Sequence, residues 1–209
     1  MRRTLALSLA LSLSLGLLSG CGPAAPAVQA QELTAQPVSV QPAGSPAVDQ
    51  ALTSFGLSLL QSAREAESGP VLLSPLSAAL ALSMAANGAD GDTLAQFETI
   101  LGGGVPLDEL NAACAQLLSD YGDLDGSTEC LIANSLWTDP EGMIREDFIG
   151  KCQGIFDAQV FSQDLSAPSV VPAVNGWVSE HTNEMIPNIL SEPFNENAAL
   201  LLVNALYLN

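Results

Sequence analysis

The stretch LLLVNALYLN, Leu200 to Asn209, decides how this chain folds. It is an apolar run rich in strand-forming side chains, interrupted by one amide, Asn204, and closed by Asn209. A terminus is usually frayed and solvated, so so apolar an ending poses an alternative. Either the strand pairs through its last residue, or the chain stops before its fold does. The rest of the sequence decides between them.

Working back from that strand, Ser169 to Ile189 is expected to be helical, with Val171, Val174, Val178 and Met185 on one stripe. AQVFS, residues 158–162, reads as a short strand, and Ile144, Phe148, Cys152 and Ile155 mark a helix before it. ECLIANSLWT, Glu129 to Thr138, lacks helical period and reads as a strand. An amphipathic helix after Pro106 carries Leu107, Leu110, Cys114 and Leu117. Another begins at Thr93, with Gln96 completing a capping box, and ends at Gly102–Gly104. Residues 76–86 form a nearly all-apolar helix, which must be enclosed, after a short buried strand expected at Val71–Leu73 and a break at Pro75. The first helix has Ser45 as N-cap and Pro46 at its first position, with Val48, Leu52, Phe55, Leu59 and Ala63 at helical spacing. The strands are far apart, do not alternate regularly with helices, and belong to no internal repeat. The fold class is α+β with long-range pairing.

Of the 209 residues 48% are hydrophobic, ample for a core, and 23 Asp and Glu face 5 Lys and Arg for a net charge of −18. Arg2 and Arg3 are two of those five cations, so the rest is almost purely acidic. Such a surface repels a phosphate backbone and argues against nucleic acid as a partner; it equally disfavours adhesion to anionic lipid through a basic patch. MRRTLALSLALSLSLGLLSGC reads as a targeting segment: a basic start, an apolar run from Leu5 to Leu18 too short to span a bilayer comfortably, and LSGC. Small residues ahead of a cysteine resemble the bacterial lipobox. Residues 1–20 are therefore expected to be a lipoprotein signal peptide, with Cys21 the lipid-attachment residue. The protein is then a lipoprotein tethered outside the cytoplasm, on the bacterial cell membrane. Residues 21–46, rich in Pro, Ala and Gln, are expected to be an extended linker, and residues 47–209 the folded part.

Cys114, Cys130 and Cys152 stand at spacings that match no zinc pattern, and His181 is the single histidine. Three thiols permit three single disulfides, each leaving one thiol over; the alternative is burial as small apolar residues, which is favoured. No nucleophile–base–orienter set is present, and His181 beside Glu180 and Glu184 reads as a solvated side chain. Glu65/Glu67 and Asp123/Asp125 read as solvating pairs, and the Asp90–Asp92 stretch lacks the further ligands of a calcium loop. Neither an enzyme, a metal site nor a cofactor is expected.

Five stretches, in order from about Asp49 to Asn209, resemble one family, the serpins. They are VLLSPLSAALALSMAANGADGDTLAQFETIL with Gly88 and Thr93 five apart, ANSLWT, FDAQVFSQDLS, VNGWVSEHTNEMIPNIL and LLLVNALYLN. Pro70 stands where the family usually has Asn, and Glu184–Met185 where it usually has Gly-Lys. The resemblance implies the serpin fold, with its N-terminal helices and part of the large central sheet. It also implies that Ser74, Ser77 and Asn204 belong to the polar cluster where the sheet opens (the shutter), completed by a histidine further downstream. Read without it, the two serines cap the helix after Pro75 and Asn204 serves its own strand. The function implied is inhibition of serine or cysteine proteases by suicide-substrate loop insertion. The alternative is a non-inhibitory surface lipoprotein acting as a binding or scaffold module. The resemblance makes residues 198–208 an interior strand of a sheet whose remaining partners, like the reactive-centre bond, would lie downstream of Asn209. The 209-residue chain alone is therefore expected to be inactive and soluble only poorly or in association. The helix after Pro106 holds Asp108 and Glu109 without Lys or Arg, so activation by a polyanion is not expected.

Overall fold

A computed structural model of the protein describes residues 30–122, 124 and 128–209. The expected signal peptide, Cys21 and Asp123/Asp125 lie outside the described residues. Four strands, β1 (Gln31–Leu33), β2 (Cys130–Thr138), β3 (Ala158–Ser162) and β4 (Leu200–Leu208), form one sheet in the order β1-β3-β2-β4. Strands β2 and β3 are parallel, joined by a crossover helix, and the two outer pairings are antiparallel. β2 and β4 align over nine residue pairs, from Cys130↔Leu208 to Thr138↔Leu200.

Because side chains alternate along a strand, this register sorts each strand between two cores. Leu136, Val160 and Leu202 face one core, made with helices α1 (Pro46–Ala66), α2 (Pro75–Ala86), α3 (Gly91–Gly102), α4 (Leu107–Gly122) and α5 (Glu146–Phe156). Trp137, Phe161, Leu201 and Val203 face the other, roofed by α6 (Val170–Glu180) with Leu165 and Leu190. A sheet covered on both faces needs strands apolar on both sides, which is why β2 and β4 show no clean alternation in sequence.

The helix starts follow local chemistry. Ser45 accepts the Val48 amide at 3.4 Å, and its hydroxyl donates to Glu109 at 2.7 Å, tying α1 to α4. Helix α3 starts at Gly91 rather than Thr93, because the Asp90 carboxylate accepts the Gly91 amide at 2.7 Å. It ends at Gly103, whose φ of 67° is a conformation that glycine adopts without strain.

Three expectations are corrected. Val71–Leu73 is not a strand: among the described residues no strand runs beside it, and Leu72 is 97% exposed. Apolar residues without a ladder partner do not make a strand. The helix expected to reach Ile189 stops at Glu180. Thr182 turns the chain, its hydroxyl donating to Val178 O at 2.8 Å and accepting the Ile186 amide at 3.1 Å. Asn183 and Glu184 then adopt left-handed φ angles of 47° and 61°, and Met185 is exposed. Finally, part of the expected linker is folded. Residues 31–33 are strand β1, and the Val38 amide donates to Gly150 O at 2.9 Å. Its backbone polar groups find partners on β3 and α5, contacts that span more than a hundred residues and leave no local pattern.

Candidate functional site

Strands β2 and β4 each carry one amide side chain, Asn134 and Asn204, and the register places the two directly opposite. Asn204 Nδ2 donates to Asn134 Oδ1 at 2.8 Å, and Asn134 Nδ2 donates to Phe156 O, the last carbonyl of α5, at 2.8 Å. Asn134 is buried. The relay therefore joins β4, β2 and the end of α5 beneath the sheet. Asn204 Oδ1 is buried and has no hydrogen-bond partner among the described residues. A buried acceptor left unpaired is costly, so any donor brought to it would stabilise the sheet.

Ser74 and Ser77 meet at the start of α2, their hydroxyls 2.8 Å apart, and Ser74 caps the helix by accepting the Ser77 amide at 3.3 Å. Helix α2 packs on β4. No hydrogen bond among the described residues joins the serine pair to Asn204. The capping role of Ser74 is thus present, and the three residues form two polar groups rather than one closed network. Asn134 escaped the sequence reading, although it stood inside ANSLWT. An amide inside an apolar strand was the signal, and its partner could be named only once the register was known.

A second missed residue is Asn175 on α6. Its Oδ1 accepts the amides of Ile189 and Leu190 at 2.8 and 2.9 Å, and its Nδ2 donates to Leu190 O at 2.9 Å. It thereby pins the segment that leads into β4. His181, expected in solvent, is half-buried: its ring stacks on Trp177 with centroids 4.2 Å apart, and Nδ1 lies 2.7 Å from Trp177 O. The indole of Trp177 donates to Gln159 on β3, fixing α6 over the sheet.

Cys114, Cys130 and Cys152 are free thiols, the first and last fully buried. Burial pushes the Cys114 thiol up to about 11 and that of Cys152 to about 12, from an ordinary 9.0. Burial also raises Cys130. A raised thiol favours the protonated folded state, so its stabilisation is whole below pH 9 and is lost as pH rises towards the folded values. Each thiol contributes about 1.4 kcal/mol per pH unit in that window. Stability at pH 10 is expected to fall by about 2–3 kcal/mol relative to pH 8, measured by urea unfolding, and the Cys114→Ala/Cys152→Ala variant should lose that component.

Among the described residues no group of three His, Cys, Asp or Glu side chains could hold a metal ion. None of the described helices is long and apolar enough to cross a membrane. Helix α4 presents Asp108 and Glu109 in its first turn and contains no basic residue.

Comparison with known proteins agrees with this geometry. The family model Serpin (serine protease inhibitor) matches residues 50–209. Neuroserpin of Gallus gallus is 34% identical over 155 residues, covering 71% of this chain and 36% of the relative. The leukocyte elastase inhibitor of Bos taurus is 32% identical over 143 residues, covering 66% of this chain and 37% of that protein. The native state of tengpin, a thermophilic serpin, superposes with a TM-score of 0.74 at 29% identity, over 87% of this chain and 47% of that one. The chain thus spans less than half the length of these relatives. The sheet order, the five stretches in sequence and the matched residues agree: the chain belongs to the serpin family.

Proposed function

We propose that the whole protein is a serpin-type inhibitor of serine or cysteine proteases, acting as a suicide substrate and held outside the cytoplasm by lipid on Cys21. The observation that carries this reading is Asn204: a buried acceptor without a partner among the described residues, at the middle of the β4 ladder. A sheet whose central polar cluster is incomplete can be locked by one added donor and released by its loss. The hydroxyls of Ser74 and Ser77, at the N-terminal end of α2, a helix that packs on β4, supply a second polar pair.

In this mechanism the protease nucleophile attacks a carbonyl in the bait loop and the peptide bond breaks. The new amine leaves with the proton and an acyl-enzyme ester or thioester remains. The cut loop then enters the sheet as an added strand, carrying the protease away before water can attack the ester. The free energy for this comes from completing a sheet that was one strand short. The acidic first turn of α4 gives a polyanion nothing to hold, so a heparin-like chain is expected to leave the rate unchanged.

The test is to incubate the whole protein with trypsin-like, elastase-like and papain-like proteases. An SDS-stable complex at the summed mass is expected with at least one, and it should vanish when the protease nucleophile is blocked beforehand. Clean cleavage of the loop with full protease turnover against the whole panel would overturn inhibition and favour the scaffold reading. Anchoring is read separately, as incorporation of a labelled fatty acid in cells. That label should be lost in Cys21→Ala.

A further inference from the structure

Helix α5 carries two glycines one turn apart, Gly150 and Gly154, where glycine weakens a helix interior. Their reason is steric. A Cβ at Gly150 would collide with Gln36 O, and one at Gly154 with Val38 O. The extended chain from Gln31 to Gly44 lies directly on that bare face. Its backbone is satisfied along the way. Gln31, Glu32 and Leu33 pair with Ser162, Phe161 and Val160 of β3. The Gln153 side-chain amide accepts from Ala35 N at 2.9 Å and donates to Leu33 O at 3.0 Å. Val38 N reaches Gly150 O at 2.9 Å, and Ala43 N reaches Ala112 O on α4 at 3.1 Å. Leu33, Ala35 and Val40 pack against the larger core.

We propose that the channel between α5 and the outer edge of β3 is a docking site for an extended, nearly uncharged peptide, and that its occupant is this chain's own residues 31–44. Glycines that admit a main chain, a side-chain amide that reads one, and an edge strand that extends one are together the chemistry of peptide recognition. The segment is suited to it: Glu32 is its single charge, and Pro37 and Pro42 favour extended backbone. Docking also covers the edge of β3, which would otherwise be open to pairing with another chain. One consequence rests on the lipid-anchor reading. From Cys21 to Gln31 the chain can reach at most about 36 Å, against roughly 80 Å or more for a linker running to Ser45. The folded part is then held close to the membrane, with β1 and α5 on the attached side.

The test does not depend on lipidation. A site for a sequence-specific protease is inserted between Gly44 and Ser45, since Gly44 is exposed with open space around it, and the protein is nicked there. The N-terminal piece is expected to co-elute with the body at micromolar concentration, at the mass of one body and one piece. The amides of Ala35 and Val38 should stay protected from hydrogen exchange. Gly154→Leu, which fills the seat and suits a helix, should release the piece. Leu33→Asp alters the occupant and leaves the body untouched, and it should weaken retention at least about tenfold. Release of the unmutated piece, or retention unchanged in Leu33→Asp, overturns the proposal. A mass of two bodies with two pieces overturns occupancy within one chain.

Discussion

Trp137→Ala is expected to lower the free energy of unfolding by about 3–5 kcal/mol, read as a reduced urea midpoint at unchanged slope. Trp137 heads the fully buried side chains by volume and lies on β2 between the sheet and α6. Its ring stacks on Phe161 of β3 with centroids 4.4 Å apart, and its register partner on β4 is Leu201. Three strands therefore share one indole. The walls around it are strands fixed by backbone ladders, which cannot collapse into the space, so both the transfer loss and the cavity are felt. Its Nε1 also donates to Ser135 Oγ at 2.9 Å. Trp137→Phe keeps most of the volume and loses that bond, and should cost about 1–2 kcal/mol. Equal losses for the two variants would show that the hydrogen bond, and not the packing, holds this layer.

The elements most legible in sequence were those whose pattern is local. Helix α5 announced itself through Ile144, Phe148, Cys152 and Ile155, and α1 through Ser45–Pro46 followed by apolar residues at helical spacing. β2, β3 and β4 could be read because β-rich runs of that length have little else to be. Strand β1 could not be read. QEL has no alternation worth the name, and it is a strand only because β3 offers it an edge. Val71–Leu73 shows the converse, three strand-like side chains with no edge beside them among the described residues. Strand identity is a property of the pair, and a single sequence shows one member.

The candidate site divides in the same way. Ser74 as a cap follows from its neighbours, since Pro75 and Ser77 complete a local motif. Asn134 and Asn204 are 70 residues apart in sequence, and nothing local ties them. Their meeting follows from a nine-pair register, as the seat of residues 31–44 follows from the two glycines of α5. The glycines were visible in GKCQG, but their meaning required knowing which main chain lay across them.

The asparagine relay yields an unequal pair of losses. Asn134→Leu removes an acceptor from Asn204 Nδ2 and a donor from the buried carbonyl of Phe156. Each group left unsatisfied costs about 1–3 kcal/mol, so the variant is expected to lose about 2–6 kcal/mol. Asn204→Leu strands only Asn134 Oδ1, and it also deletes an acceptor that was unpaired among the described residues, so its loss in the 209-residue chain should be about 1 kcal/mol. In the double variant both ends of the Asn204–Asn134 bond go together, and its loss should fall short of the sum by about 1 kcal/mol. Equal single losses, or strict additivity, would mean that the bond is not made. The proposed function adds a sharper condition. If a donor in the whole protein completes the cluster at Asn204 Oδ1, then Asn204→Leu must cost more there than in the 209-residue chain, by the worth of one or two buried hydrogen bonds, about 1–3 kcal/mol. An unchanged loss in the whole protein would leave Asn204 a structural partner of β2 alone, and the sheet would need another latch.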